Sequence, residues 1–178
     1  MYEMKDDIFY EYIKKYDKLS LDYVLLSAED GEISHKKAVI EAISVLNTRK
    51  RVCNRYYYKK SPAFYVDESK MTCQKCDNEN FFKITPEKIM GYTAEEIGYC
   101  DAVLYFIIPY RTYTEKDFEK INHVLFPMCY RKDLEIYRWN DEFSDYFNDG
   151  KEGCGAAMWS IYDKNMCRFV IIGTSVTD

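Results

Sequence analysis

The closing stretch of the chain, MWSIYD at residues 158–163 and CRFVIIGTS at 167–175, limits the possible folds more than any other. A polar turn near Lys164 and Asn165 separates two β-prone runs, the pattern of a terminal β-hairpin. Its second run, RFVII, is almost wholly apolar. A strand with one wet face alternates apolar and polar residues, whereas a continuous apolar strand needs cover on both faces. RFVII therefore belongs inside a sheet and not at its edge, and that sheet must be covered by helices.

The helices that could cover it are legible in the spacing of apolar residues. Residues 4–17 place Phe9, Tyr12, Ile13 and Tyr16 on one helical face. Ser34 is a good N-cap for a helix over about 35–50 that aligns Val39, Ala42, Ile43 and Leu46. Thr114 caps a third, about 115–125, with Phe118, Ile121 and Leu125 on one side. Thr85-Pro86 and the Thr93 to Glu96 capping box announce shorter ones. Asn140 is a candidate cap for a helix through Phe147, followed by an NDG turn at 148–150.

Strand signals lie between them. Residues 101–108, with the apolar run AVLYFII, are the strongest candidate, and LEIYRW at 134–139 is another. YYY at 56–58, AFYVD at 63–67 and FFKI at 81–84 are weaker, and LDYVLLSA at 21–28 is ambiguous. Residues 70–80 read as a polar loop. The expectation is an α+β (mixed α/β) fold in one domain over 1–178. A helical part at about 1–50 precedes an α/β part at about 56–178. Alternating β and α segments favour parallel neighbours, so a mixed sheet of about five strands is expected, ending in the hairpin.

The chain is 178 residues long, enough for one sizeable core. No apolar run approaches the roughly 20 residues that span a bilayer. The start, MYEMKDDIFYEY, lacks the basic and apolar regions of a signal peptide. Seven cysteines, an odd number, fit a reducing compartment. A cytoplasmic location without membrane partners is the expectation. Net charge is −5, which does not steer the chain toward nucleic acid. The one basic stretch, residues 47–60, carries six Lys or Arg and three tyrosines. Such a pattern can track phosphates, but the expected reading is a solvated helix end running into an aromatic strand, and nucleic acid is not the expected partner.

Three constellations could carry chemistry. Cys73 and Cys76 form a single Cys-x-x-Cys. A structural zinc site needs four ligands, and Cys53, Cys100, Cys129, His35 and His123 offer no recognisable spacing, so no metal is expected and zinc is the alternative. Asp-Asn-Glu-Asn after the pair favours a turn over the helix that a redox pair needs. Cys154 lies between two glycines, and His123 could serve as its base; a flexible turn explains the same residues. Asp141, Asp145 and Asp149 recur at steps of four and could share a helical face that holds a hard cation or is merely solvated. His35 is expected to be exposed by a helix start. No phosphate loop, dinucleotide fingerprint, nucleophile elbow or His-Glu-x-x-His occurs.

Asn80, with Gly91, Tyr92, Glu95, Glu96, Ile97 and Gly98, resembles the Asn…Gly-Tyr-x-x-Glu-Glu-Ile/Leu-x-Gly run of PAS sensor domains. The resemblance covers about a tenth of the chain and implies a ligand sensor. The capping box supplies most of the same residues, and helices at 115–125 and 141–147 stand where that family continues in strands.

The leading functional expectation is a non-enzymatic binding protein with no cofactor. Eighteen tyrosines and an acidic charge suit a face that docks a basic protein partner. Immunity proteins and inhibitors of bacterial or phage conflict systems work by that physics. The candidate face is Trp139, Asp141, Asp145, Tyr146 and Asp149. The second expectation is a small enzyme whose site lies at the ends of the central strands, with Tyr110 and Arg111 holding an anionic ligand. The third is a metal or ligand sensor built on Cys73 and Cys76.

Overall fold

The computed structural model describes residues 1–16, 21–28, 33–49, 63–84, 98–103, 113–151 and 155–176. Short polar side chains start its helices by accepting a free backbone N–H of the first turn. Asp7 caps α1 (Ile8–Ile13), accepting from Phe9 N at 2.8 Å. Ser34 caps α2 (His35–Thr48), accepting from Lys37 N. Asp77 caps α3 (Asn78–Phe82), and Gly98 precedes the short α4 (Tyr99–Ala102). Thr114 and Asp117 form a reciprocal capping box at the start of α5 (Glu115–Leu125). The last helix, α6, spans Asn148–Lys151.

Five strands follow in chain order as β1 (Asp22–Ser27), β2 (Cys73–Lys75), β3 (Leu134–Trp139), β4 (Gly155–Asp163) and β5 (Arg168–Val176). They form one sheet in the order β1-β5-β4-β3-β2. The terminal hairpin, with Asp163 opposite Arg168, supplies two of its three inner strands. RFVII is flanked by β1 and β4, as its lack of alternation requires.

Successive strand residues point to opposite faces, and the core divides accordingly. Tyr23 and Leu25 of β1, Val170 and Ile172 of β5, Trp159 and Ile161 of β4 and Ile136 of β3 pack beneath α1, α3, α4 and α5. Val24 and Leu26, Phe169 and Ile171, Met158 and Trp139 pack on the other face against α2, Phe143, Tyr146 and Phe147. The fold is α+β, three layers deep with the sheet in the middle. Each fully buried large apolar side chain contributes about 1.5–3 kcal/mol. Val39, Ala42, Ile43 and Leu46 thus hold the body of α2 to the sheet.

Several expectations are corrected. Every described strand pair is antiparallel, so the sheet is not mixed. The long connection from β2 to β3 lays α3, α4 and α5 over one face, and β3 then runs back beside β2 in the opposite direction. Residues 99–103 are helical, so the strand expected at 101–108 does not begin there; residues 104–108 lie outside the described part. FFKI is not a strand, because Asp77 caps a helix through Phe82. Part of the expected polar loop at 70–80 is β2, an edge strand whose residues are all exposed. The expected helix from Asn140 is replaced by an irregular segment and a 3-10 turn, Asp145–Phe147, capped by Ser144. Asn140 instead accepts from Thr72 N and donates to Lys70 O. The NDG turn is the start of α6. The segments at 56–58 and 85–97 lie outside the described residues.

Two glycines are required by contact and conformation. A Cβ on Gly98 would lie 2.0 Å from the Asn80 carbonyl oxygen, so the α3–α4 junction admits no side chain. Gly155 opens β4 at φ +127°, a region L-residues avoid.

One buried ion pair ties the layers at the hairpin end. Arg168, 2% exposed, donates from Nη1 to Asp7 Oδ2 at 3.0 Å and from Nη2 to the Leu125 carbonyl at 2.7 Å. It thereby joins β5, the cap of α1 and the end of α5. Asp163 stands directly across the ladder. Removing one partner of such a pair strands a buried charge and costs about 3–5 kcal/mol. Asp7→Ala is expected to lower the unfolding free energy by that amount in urea titration. A loss below about 1 kcal/mol would show that solvent already screens the pair.

Candidate functional site

The residues proposed for an acidic docking face do not stay together on the surface. Trp139 and Tyr146 are 5% and 2% exposed and belong to the core under α2. Trp139 sits on the inward side of β3, and the Tyr146 hydroxyl donates to Asp22 Oδ2 at 2.8 Å. Large aromatic rings beside acidic residues satisfied the sequence criterion for a binding face, but the pleat of β3 and the 3-10 turn aim both rings inward. Asp145 and Asp149 are exposed and Asp141 is half-buried. Asp141 precedes the helical turns that carry the other two, so the three do not line one helix. Asp145 accepts from Tyr65 N at 2.6 Å, and Tyr65 is 69% exposed. Tyr65 thus stands where Tyr146 was expected.

Cys73 and Cys76 lie on and just beyond the edge strand. Cys73 is opposite Trp139, while Cys76 N donates to the Ile136 carbonyl and its side chain packs on the α5 side. Cross-strand neighbours share a face, so β2 sends the two thiols to opposite sides of the sheet. Burial raises both thiol pKa values, which lowers the thiolate fraction that metal binding and redox exchange need. Among the described residues, no three His, Cys, Asp or Glu side chains gather as a metal-binding group. Cys154, Tyr110 and Arg111 lie outside the described residues. His123 is exposed on α5, with Nδ1 3.3 Å from the Glu119 carbonyl. It borders an open hollow of about 540 Å³ with Tyr12, Lys116, Glu119, Lys120 and Val124.

His35 is not exposed; its side chain is 10% exposed under the sheet face. Its Nδ1 lies 2.9 Å from Ser160 Oγ, and Ser160 Oγ accepts from Trp139 Nε1 at 2.8 Å. Indole N–H only donates, so the one hydroxyl proton of Ser160 is free for His35 Nδ1. The imidazole proton then sits on Nε2. That nitrogen is buried with no hydrogen-bond partner among the described residues, 3.9 Å from Glu135 Oε1. The ring packs on Tyr137 and Phe169 at centroid distances of 4.5 and 5.0 Å, and Tyr137 donates to Glu135 at 3.2 Å. Burial lowers the His35 pKa to about 4; the Glu135 carboxylate opposes the shift. Ser, His and Glu in this order resemble a nucleophile, base and orienter, but Ser160 is fully buried in the core beneath α2. The one sequence signal was a serine inside the apolar run MWSIYD, where a buried hydroxyl demands a partner.

Exposed apolar side chains gather elsewhere. Six of the eight large ones among the described residues are Met1, Tyr2, Ile8, Met128, Tyr130 and Met166. All lie on segments that meet around Arg168. Ser27, opposite Arg168, donates its N–H to Tyr2 O, and Ala28 donates to Cys167 O. Arg168 itself holds Asp7, next to Ile8, and Leu125, whose chain leads through Pro127 to Met128 and Tyr130. Ile8 is 77% and Met128 66% exposed. Lys5, Asp6, Lys132 and Lys164 are exposed on the same segments. The acidic residues lie at the far end of β5, where Gly150 N donates to Ser175 Oγ. The seven residue steps from Arg168 to Ser175 span roughly 24 Å. The two surfaces are thus separate poles.

Ser160→Ala leaves the Trp139 indole N–H and one His35 nitrogen buried without partners. A loss of about 2 kcal/mol in unfolding free energy is expected by denaturant titration. An unchanged value would mean that water reaches both nitrogens.

No family model matches the chain, and no curated protein is significantly similar to it in sequence.

Proposed function

We propose that the chain is a non-enzymatic binding protein that docks a protein partner through the apolar end of the sheet around Arg168. The supporting observation is the concentration of Met1, Tyr2, Ile8, Met128, Tyr130 and Met166 on segments joined at one buried ion pair. Exposed apolar residues grouped in this way mark interaction surfaces, and methionine adapts to irregular partners. The body beneath is rigidly anchored, so little backbone order is lost on binding. Lys5, Lys132 and Lys164 outnumber Asp6 on those segments, which favours a partner with carboxylates around its own apolar anchors. No described helix is long and apolar enough to cross a membrane.

A second docking reading, a basic partner at the acidic pole, is favoured by the exposure of Tyr65 and its tie to Asp145. The two readings separate by mutation. The chain is immobilised and exposed to extract of its own source organism. Ile8→Lys/Met128→Lys is expected to lower retention of the captured protein by at least about tenfold, the cost of losing one or two apolar anchors. Tyr65→Ala/Asp145→Asn should leave retention unchanged. The reverse pattern supports the basic partner, and equal retention by all variants overturns both. Circular dichroism confirms that each variant is folded.

A further inference from the structure

We propose that His35 is an acid-sensitive latch, holding the first turn of α2 on the sheet only while its ring is neutral. The inference rests on the side-chain hydrogen-bond chain Trp139→Ser160→His35, which ends on the ring nitrogen Nδ1. With the ring neutral and its proton on Nε2, Trp139 Nε1–H donates to Ser160 Oγ and the Ser160 hydroxyl is left to donate to His35 Nδ1. A second ring proton must go on Nδ1. The acceptor then becomes a donor, and indole, imidazolium and hydroxyl protons converge on one oxygen. Ser160 is fully buried, so no solvent is at hand to take its proton.

The surroundings of the ring oppose that charge on most sides. His35 is the first residue of α2, where the free N–H groups make the potential positive. From β2, Lys75 adds a like charge. From β5, Phe169 meets the ring edge to face and supplies no hydrogen-bond acceptor. From β4, the Ser160 and Tyr162 side chains are neutral, and the Ser160 backbone carbonyl is the one group of that strand that favours the charged ring. From β3, Trp139 and Tyr137 are neutral. The Glu135 carboxylate attracts the imidazolium, from 3.9 Å and from a side chain that is 41% exposed and already bonded to Tyr137, and the Ser160 backbone carbonyl favours it as well; burial outweighs both. Lys36 reaches away to Glu68 at 3.2 Å, and Lys37 is exposed.

The sign follows from proton counting. The latched ring binds its second proton only near pH 4, whereas a released one binds it at the ordinary value near 6.5. The released state therefore holds more protons between those values. The ratio of latched to released molecules falls about tenfold for each pH unit lost through that window, and is constant above it. Val39, Ala42, Ile43 and Leu46 lie further along α2 and do not depend on the ring, so release is confined to the first turn.

The test is an NMR pH titration of the full chain, following the His35 ring carbons and the two tryptophan indole N–H signals. His35 is expected to titrate near pH 4, and the Trp139 indole signal to shift with the same midpoint while that of Trp159 stays fixed. His35→Asn offers Ser160 an acceptor that does not titrate, and should abolish the Trp139 transition. Should that variant fail to fold, Glu135→Gln serves: losing the attracting Glu135 charge should move both midpoints to lower pH together. A His35 midpoint at the ordinary 6.5, or a Trp139 signal indifferent to His35 protonation, overturns the latch.

Discussion

The constraint on which this structure depends is the two-sided burial of the terminal hairpin. Val170 and Ile172 enter one core and Phe169 and Ile171 the other. Neither face of β5 can meet water without exposing large apolar side chains, so two helical layers must form. α2 supplies one layer, and α1, α3, α4 and α5 the other. β1 closes one side of β5 and β4 the other, which makes the hairpin the scaffold that the rest of the described chain covers.

Arg168 converts that scaffold into a joint. Its guanidinium is an expensive group to bury and is stable there only because Asp7 and the Leu125 carbonyl receive its protons. The same contacts bring three chain segments to one end of the sheet. Exposed methionine, isoleucine and tyrosine on those segments come together as a consequence. A buried ionic contact thus organises an exposed apolar surface, and the acidic residues stay at the opposite pole. The proposed docking function and the joint are linked through the same arginine.

Much of this was readable along the chain. Ser34, Thr114, LEIYRW and the hairpin were located correctly because each signal is local: a cap, an alternation, a turn. Errors arose where the outcome depended on distant residues. AVLYFII reads as a strand by composition, yet its first residues, Ala102 and Val103, continue α4, which packs against α3 and the sheet. Trp139 and Tyr146 look like docking aromatics beside acidic neighbours. The facing surface of α2 takes them into the core instead. His35 looks like an exposed helix start, and only Ser160, 125 positions later, gives its ring a partner.

The sequence by itself determined where α2, α5, β3 and the terminal hairpin form, and that the final strand must be covered twice. Those properties depend on neighbours within a turn or two, where backbone hydrogen bonding and apolar spacing are already decided. The tertiary structure alone decided that the described strands all pair antiparallel, that β2 parts Cys73 from Cys76, and that Arg168 finds Asp7. Such outcomes depend on which long-range contacts bury the most surface while leaving the fewest polar groups unpaired, a comparison that no local stretch of chain contains.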